Sequence, residues 1–296
     1  MKTENTVIEI RNLTKFYGKH RGVQNVSMKV EKGDIFGFLG PNGAGKSTTI
    51  RSMLGLLRFQ KGEIRLLGKD AVKENKEILR EVGYMPSEAM FYPNMKVKEV
   101  IRFAAQARGL HCEKEADRIC EMLEVDREKK VRELSLGNRK KVSIVCAMQH
   151  KPRLLVLDEP TSGLDPLMQE VFFKLILEYN RQGTTCFLSS HVLSEVKRYC
   201  RNAAIIREGV VIRQDTVENL TRTNVRKVKV RHDGKEERFV YTGEMGELLQ
   251  RLGKMNVEDL LIEEPSLDEV FMHYYDSKEE EGGVMSAEKG GEHGNI

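Results

Sequence analysis

Residues 34–49 read DIFGFLGPNGAGKSTT, and the rest of the chain is organised around this stretch. Gly40, Gly45, Lys46 and Ser47 fit the phosphate-binding pattern G-x-x-x-x-G-K-[ST], and the apolar run before them predicts a buried strand. Apolar residues then recur at the spacing of one helix face: Ile50, Met53, Leu54 and Leu57. We therefore expect a strand, a glycine-rich loop and a helix in that order.

This loop is predicted to bind phosphate. Glycines allow a tight turn that points successive N–H groups inward, and a helix N-terminus adds roughly +0.5 of an elementary charge. Both features attract anions. Lys46 is expected to reach the β- and γ-phosphates of a nucleotide, and the Ser47 hydroxyl to occupy one position on Mg²⁺, which prefers oxygen ligands.

Length and charge exclude several classes of protein. The 296 residues are enough for a full α/β domain and a smaller second domain. The 49 basic and 45 acidic residues are nearly balanced, so no nucleic-acid footprint is indicated. No run approaches the roughly 18 apolar residues of a membrane span, and the N-terminus lacks the apolar core of a signal peptide. We expect a soluble, cytoplasmic chain.

The cysteines are scattered, odd in number and never in C-x-x-C spacing. This arrangement favours reduced thiols in packed positions over disulfides or zinc ligands. The five are Cys112, Cys120, Cys146, Cys186 and Cys200.

Tyr17 is the candidate residue for contact with a nucleobase. It follows an early predicted strand about two dozen residues before the loop, and stacking of an aromatic ring on a base contributes ~1–3 kcal/mol. The alternative is that Tyr17 is an ordinary core or edge-strand aromatic, and Phe16 is expected to face the core.

Two carboxylates end the next informative strand. Residues 154–157 are wholly apolar and predict a buried strand, and Asp158 and Glu159 follow at the end where parallel sheets bind ligands. Strand alternation should point the two side chains in opposite directions. Asp158 is expected to hold Mg²⁺ through water, and Glu159 to orient or deprotonate the attacking water. His191, just past a later strand, is a candidate to contact the γ-phosphate or that water.

The intervening region predicts helices. Between about residues 97 and 124, apolar side chains fall on one helix face: Val100, Phe103, Ala104 and Ala107. A further helix opens at LSLGN, residues 134–138. Ser135 there is either part of a second anion site or a simple helix N-cap.

These motifs, in this order over about residues 5–220, resemble the ATP-binding subunits of ABC transporters. The resemblance implies a mixed sheet flanked by helices, with antiparallel N-terminal strands and a helical insertion at about residues 88–150. It implies that Tyr17 stacks on adenine, that His191 is the switch histidine, and that the catalytic residues are Glu159, His191 and Lys46. It implies nucleotide contacts from the Walker A loop: Gly40, Pro41, Asn42, Gly43, Ala44, Gly45, Lys46, Ser47 and Thr48.

The resemblance also implies how the site is completed. Two such domains bind head to tail, and Ser135 and Gly137 of one complete the ATP site of the other. Family members usually carry Gln where this chain has Ser87, so the Mg²⁺ shell and the coupling step depend here on a shorter side chain. The motif LSLGN also replaces LSGGQ, although Ser135 and Gly137 are retained.

Residues 221–276 predict a small α+β domain. Val228 to Tyr241 read as a β-hairpin around Asp233-Gly234, followed by a helix at 245–252 and a strand at 257–262. A last helix is expected at 265–275, with a capping box of Ser266 and Glu269. This extension resembles that of ATPases serving ABC-2-type exporters. Residues 277–296 have a composition typical of disorder.

We therefore expect an ATPase that uses ATP and Mg²⁺ and drives export through a separate membrane permease. Its second ATP-binding subunit would be another copy of this chain or a related one. The protein would lie at the inner face of the cell membrane and bind no nucleic acid. The alternative is a soluble ABC ATPase that acts on ribosomes or nucleic acid.

Overall fold

The structure is a computed structural model that describes residues 5–221 and 225–263. The chain divides into two units, Met1–Leu220 and Thr221–Ile296. In chain order, the first unit contains β1 Thr6–Tyr17, β2 His20–Glu31, β3 Ile35–Leu39, α1 Lys46–Met53, β4 Lys61–Leu66, β5 Lys69–Asp70, α2 Asn75–Glu81, β6 Val82–Met85, α3 Val97–Gln106, α4 Glu113–Met122, α5 Leu136–Met148, β7 Leu154–Asp158, α6 Pro166–Arg181, β8 Thr185–Ser190, α7 Leu193–Tyr199, β9 Asn202–Arg207, β10 Val210–Thr216 and α8 Val217–Thr221.

Two sheets form the first unit. The antiparallel sheet has the strand order β2-β1-β4-β5, and the larger sheet has the order β10-β9-β3-β8-β7-β6. In the larger sheet β3 pairs in parallel with β8 and β9, and β7 pairs in parallel with β6 and β8. The carboxyl ends of β3, β7 and β8 therefore meet at one edge, where ligands bind in open α/β sheets. The predicted mixed sheet is confirmed.

The main core lies between these two sheets. Alternating side chains of β1 and β2 meet the fully buried Phe36 and Phe38 of β3 and the inner face of α1. Phe36 also stacks on Phe187 of β8, with ring centroids 5.8 Å apart. Removal of this apolar area from water stabilises the strand and the helix on either side of the phosphate loop.

The helical insertion consists of α3, α4 and α5. Its predicted apolar face is partly wrong, because α3 turns Val97, Val100, Ile101 and Ala105 inward. Phe103 is instead 58% exposed. The helix carries apolar residues over more than one side, and spacing alone did not show which side meets the core.

The second unit, described by itself, is a three-stranded antiparallel sheet with one helix. Its elements are β11 Val225–His232, β12 Lys235–Thr242, α9 Met245–Leu252 and β13 Val257–Glu263, with the strand order β12-β11-β13. Asp233 and Gly234 both have positive φ, 48° and 72°, as a two-residue type I′ hairpin requires. The predicted hairpin, helix and strand are confirmed. The predictions for Ser266, Glu269 and residues 277–296 lie outside the described residues.

In residues 5–221 and 225–263, no helix combines the length and apolar composition of a bilayer-spanning segment. All five cysteines are free, and four of them are buried.

Candidate active site at the edge of the central sheet

The phosphate loop joins β3 to α1 through backbone conformations that glycine permits. Gly43 and Gly45 have φ of 80° and 106°, and α1 begins at the next residue, Lys46. Gly40 permits a close approach, since a Cβ there would lie 2.4 Å from the carbonyl oxygen of Ile206. The predicted strand, loop and helix are therefore present in the predicted order.

Lys46 is almost fully buried beneath this loop. Its Nζ donates hydrogen bonds to the carbonyl oxygens of Gly40 (2.6 Å) and Pro41 (3.1 Å). The same Nζ lies 3.0 Å from Oε1 of Glu159, so a buried cation and a half-buried carboxylate form an ion pair. A phosphate oxygen would compete with Glu159 for this ammonium group.

Glu159 lies just past the end of β7 in a left-handed backbone conformation, with φ 49°. Its N–H donates to the carbonyl oxygen of Ser189, 3.2 Å away. Its other carboxylate oxygen, Oε2, is 2.7 Å from Nδ1 of His191, which follows β8. Glu159 is thus held between Lys46 and His191. The side chains of Asp158 and Glu159 have different partners because the backbone of Glu159 is left-handed, and not because the strand alternation continues through Glu159.

Asp158 is fully buried and fits a cation site. Its Oδ1 accepts a hydrogen bond from the Ser189 hydroxyl at 2.6 Å, whereas its Oδ2 is buried without a hydrogen-bond partner. An unpartnered buried carboxylate oxygen is costly unless a cation or water satisfies it. In the part of the chain described here, no three His, Cys, Asp or Glu side chains cluster as metal ligands. Mg²⁺ is usually bound by only one or two protein carboxylates together with phosphate oxygens and water, so it does not require such a cluster.

A cleft of about 320 Å³ opens beside the loop. Most of the predicted nucleotide contacts line it, together with Arg21 and Gly22, which the sequence reasoning missed. The lining residues are Tyr17, Arg21, Gly22, Pro41, Asn42, Gly43, Gly45, Lys46, Ser47, Thr48, Ser87 and Glu159. Side chains separated by more than 140 residues in sequence therefore meet in one place.

Tyr17 lies at the outer side of this cleft. Its ring is 45% exposed, and its hydroxyl lies 3.3 Å from Oγ1 of Thr48. Gly22 allows the ring to lie there, because a Cβ at that position would come within 2.9 Å of Cε2 of Tyr17. An exposed aromatic face beside a phosphate loop is available for stacking on a base, although the role itself stays a prediction.

Ser135 and Gly137 do not line the cleft. Ser135 is the N-cap of α5, and its Oγ accepts a hydrogen bond from the N–H of Asn138 at 3.3 Å. Gly137 packs against the turn after β7, where a Cβ would lie 2.5 Å from the carbonyl oxygen of Gly163. The N-cap alternative is thus the one visible within this chain. Any phosphate contact of Ser135 would be with a nucleotide held by another subunit.

One buried cation near the site was missed from the sequence. Lys140 of α5 is only 1% exposed, and its Nζ donates to the carbonyl oxygen of Ser87 at 2.8 Å. The many apolar residues of α5 indicate that a lysine on this helix can be buried. The charge of a lysine alone predicts a position at the surface.

The fold and this cleft define a class of protein. This arrangement is typical of a P-loop ATPase. It combines a glycine-rich loop at a helix N-terminus with a buried lysine, two carboxylates at the end of an adjacent strand and a histidine just past the next strand.

Comparison with known proteins gives the family. The ABC transporter family matches residues 23–162. The bacitracin transport ATP-binding protein BcrA of Bacillus licheniformis is 38% identical over 225 residues, which cover 74% of this chain and 72% of that protein. The linearmycin resistance ATP-binding protein LnrL of Bacillus subtilis is 35% identical, over 72% of this chain and 70% of that protein.

The fold agrees with that result. A solved structure of an ATP-binding subunit of an ABC transporter has a TM-score of 0.70 and 26% identity, and the match covers 91% of this chain and 100% of that one. The chain belongs to the family of ABC transporter ATP-binding proteins. It binds and hydrolyses ATP as the energy-coupling subunit of such a transporter.

Proposed function

We propose that this chain drives the export of a drug- or antibiotic-like molecule through a separate integral-membrane permease of the ABC-2 type. The names of BcrA and LnrL, a bacitracin transport protein and a linearmycin resistance protein, support this class of cargo. In this proposal two copies of the chain work together at the inner face of the cell membrane, and a related partner ATPase is the alternative to a second copy.

The observation that carries the proposal is an apolar groove close in sequence to the nucleotide cleft. The groove, of about 560 Å³, is lined by residues 90–93 and 95, by one side of α3 and the two residues after it, and by Cys146 of α5. Met90, Tyr92 and Phe103 are 88%, 70% and 58% exposed there. Exposed apolar groups gathered in one groove are typical of an interaction site.

The groove and the cleft share one short loop. Ser87 lines the cleft, and Met90, three residues later, lines the groove. A movement of Ser87 on binding or hydrolysis of ATP would therefore shift the residues that line the groove and change their contacts with its occupant. An apolar cytoplasmic segment of the permease is the occupant that we propose.

Within the site, we propose that ATP lies over residues 40–48 with its adenine against Tyr17. Ser47 and Asp158 would hold Mg²⁺, Ser87 would reach it only through an extra water, and the ion would neutralise phosphate charge. Glu159 would accept a proton from the attacking water, and Lys46 would bind the β- and γ-phosphates. His191 would use Nε2 for the γ-phosphate, because its Nδ1 contacts Glu159.

The proposed dimer supplies residues that are missing from the cleft of a single chain. Ser135 and Gly137 lie outside this chain's own cleft, so in the proposed dimer they complete the cleft of the other subunit. Loop Ser162 to Asp165, against which Gly137 packs, would then lie at the same interface.

Purification of the tagged full-length chain from detergent-solubilised native membranes tests the permease. We expect a multi-span membrane protein to copurify, and Tyr92→Glu with Phe103→Glu to abolish that association. Val72→Glu, also at an exposed apolar position, is the matched control and should retain it. Copurification of ribosomes or nucleic acid, without a membrane protein, would instead favour the alternative function.

A further inference from the structure

Lys140 is a buried lysine, and among the described residues no carboxylate lies within hydrogen-bonding distance of it. It lies on α5, is 1% exposed, and its Nζ donates to the main-chain oxygen of Ser87 at 2.8 Å. Burial lowers the pKa of Lys140 to about 8, and the negative charges of Asp158 and Glu159 oppose that decrease. The ammonium form thus still predominates at neutral pH.

Stability does not explain such a residue. A buried charge that is only partly compensated costs stability, because the ammonium group loses its hydration. Methionine has nearly the length of lysine and would fill the same space. A lysine at this position therefore calls for an account based on activity.

Three parts of the site meet at Lys140. It lies five residues after Ser135, on the helix that Ser135 caps. Its hydrogen bond fixes the main chain of Ser87, which lines the nucleotide cleft. Asp158 and Glu159, the two carboxylates at the end of β7, interact electrostatically with its positive charge.

We propose that Lys140 is a positioning residue for ATP hydrolysis, whose ammonium group holds the Ser87 loop in place and supplies positive charge behind Asp158 and Glu159. Ser87 is too short to reach far into the cleft, so the placement of its loop depends on the main chain. Lys140 holds that main chain from the interior. The proposal concerns ATP hydrolysis by this protein without its permease and does not depend on the proposed permease.

The test compares Lys140→Met and Lys140→Arg with the unmodified full-length chain. We expect Lys140→Met to lower kcat about 10²-fold, the cost of a misplaced catalytic group, while KM for ATP changes little. Its thermal midpoint should change little, because removal of a buried charge offsets loss of the hydrogen bond to Ser87. Lys140→Arg, which keeps the charge, should recover much of kcat. Lys174→Met on the exposed side of α6 is the matched control and should leave kcat unchanged.

Unchanged kcat in Lys140→Met would overturn the proposal. So would a parallel loss of kcat and thermal stability.

Discussion

Helices α1 and α5 both begin with a serine- or glycine-containing turn, and the two turns differ in what they can bind alone. At α1 the N-cap is Gly45, which has no side chain to cap the helix, and the buried ammonium of Lys46 lies at the same turn. At α5 the N-cap is Ser135, whose hydroxyl accepts from the helix's own Asn138 N–H. The α1 turn therefore offers backbone N–H groups and the Lys46 ammonium to an anion. At the α5 turn, the Ser135 hydroxyl already accepts a hydrogen bond from an N–H of its own helix.

This difference shows why one sequence rule does not define a binding site. Any helix N-terminus attracts anions weakly. We propose that the turn at α1 is a nucleotide site because β7 and β8 place Glu159, Asp158 and His191 beside it. Among the described residues the turn at α5 has no such neighbours within the cleft, and in our proposal it contacts a nucleotide held by a second subunit.

The largest expected effect concerns the chemistry beside α1. Glu159→Gln should lower the rate of phosphate release by about 10²–10⁴-fold, because the group that orients and deprotonates water is lost. ATP binding should persist, since Lys46 keeps its charge. Glu121→Gln on exposed α4 is the control and should hydrolyse ATP normally. Wild-type turnover in Glu159→Gln would remove this residue from the mechanism.

The next effect concerns binding at the α1 turn. Lys46→Ala should weaken ATP binding about 10- to 150-fold, the range expected for a lost hydrogen bond to a charged group. Equilibrium binding of a fluorescent ATP analogue measures it, with Lys174→Ala as the exposed control. Equal affinity in the two variants would contradict the assignment of the phosphate site.

A smaller effect is expected at the edge of the same cleft. Tyr17→Ala should weaken ATP binding by at least about fivefold, since base stacking on an aromatic ring contributes ~1–3 kcal/mol. Tyr17→Phe keeps the ring and loses only the hydroxyl near Thr48, so it should bind almost normally. If both substitutions have the same small effect, Tyr17 does not stack on the base.

The smallest effect on a single chain is expected at the α5 turn. Ser135→Ala should leave ATP binding to one subunit unchanged, and it should weaken ATP-dependent association of two subunits about two- to tenfold through loss of one neutral hydrogen bond. Loss of the N-cap should also cost about 1 kcal/mol of stability. A loss of single-chain ATP affinity equal to that of Lys46→Ala would remove the difference between the two turns.

Much of the site at α1 was predictable because it depends on local patterns. The glycine spacing, the apolar runs of β3 and β7 and the carboxylates after β7 each follow from a few adjacent residues. Parallel pairing of β3, β7 and β8 then brings these ends together, which the buried runs already indicated. The predicted hairpin at Asp233-Gly234 rests on the same kind of local rule.

The remaining features depend on packing between distant parts of the chain. The left-handed backbone of Glu159 carries no glycine signal, and Phe103 faces outward on a helix with apolar residues on several sides. Lys140 is buried only because β6, the Ser87 loop and the end of β7 surround the start of α5. Helix α2 is short and has a single buried residue, Ile78, so it left no strong periodicity to recognise.

The central claim is that the α1 turn is half of a site and that the α5 turn of a second copy completes it. The most direct measurement is the mass of Glu159→Gln in solution, by analytical ultracentrifugation with and without ATP. We predict a dimer with ATP that reverts to monomer when ATP is removed, and whose dissociation constant rises about two- to tenfold when Ser135→Ala is added. A Glu159→Gln chain that binds ATP with full affinity and stays monomeric would contradict the account.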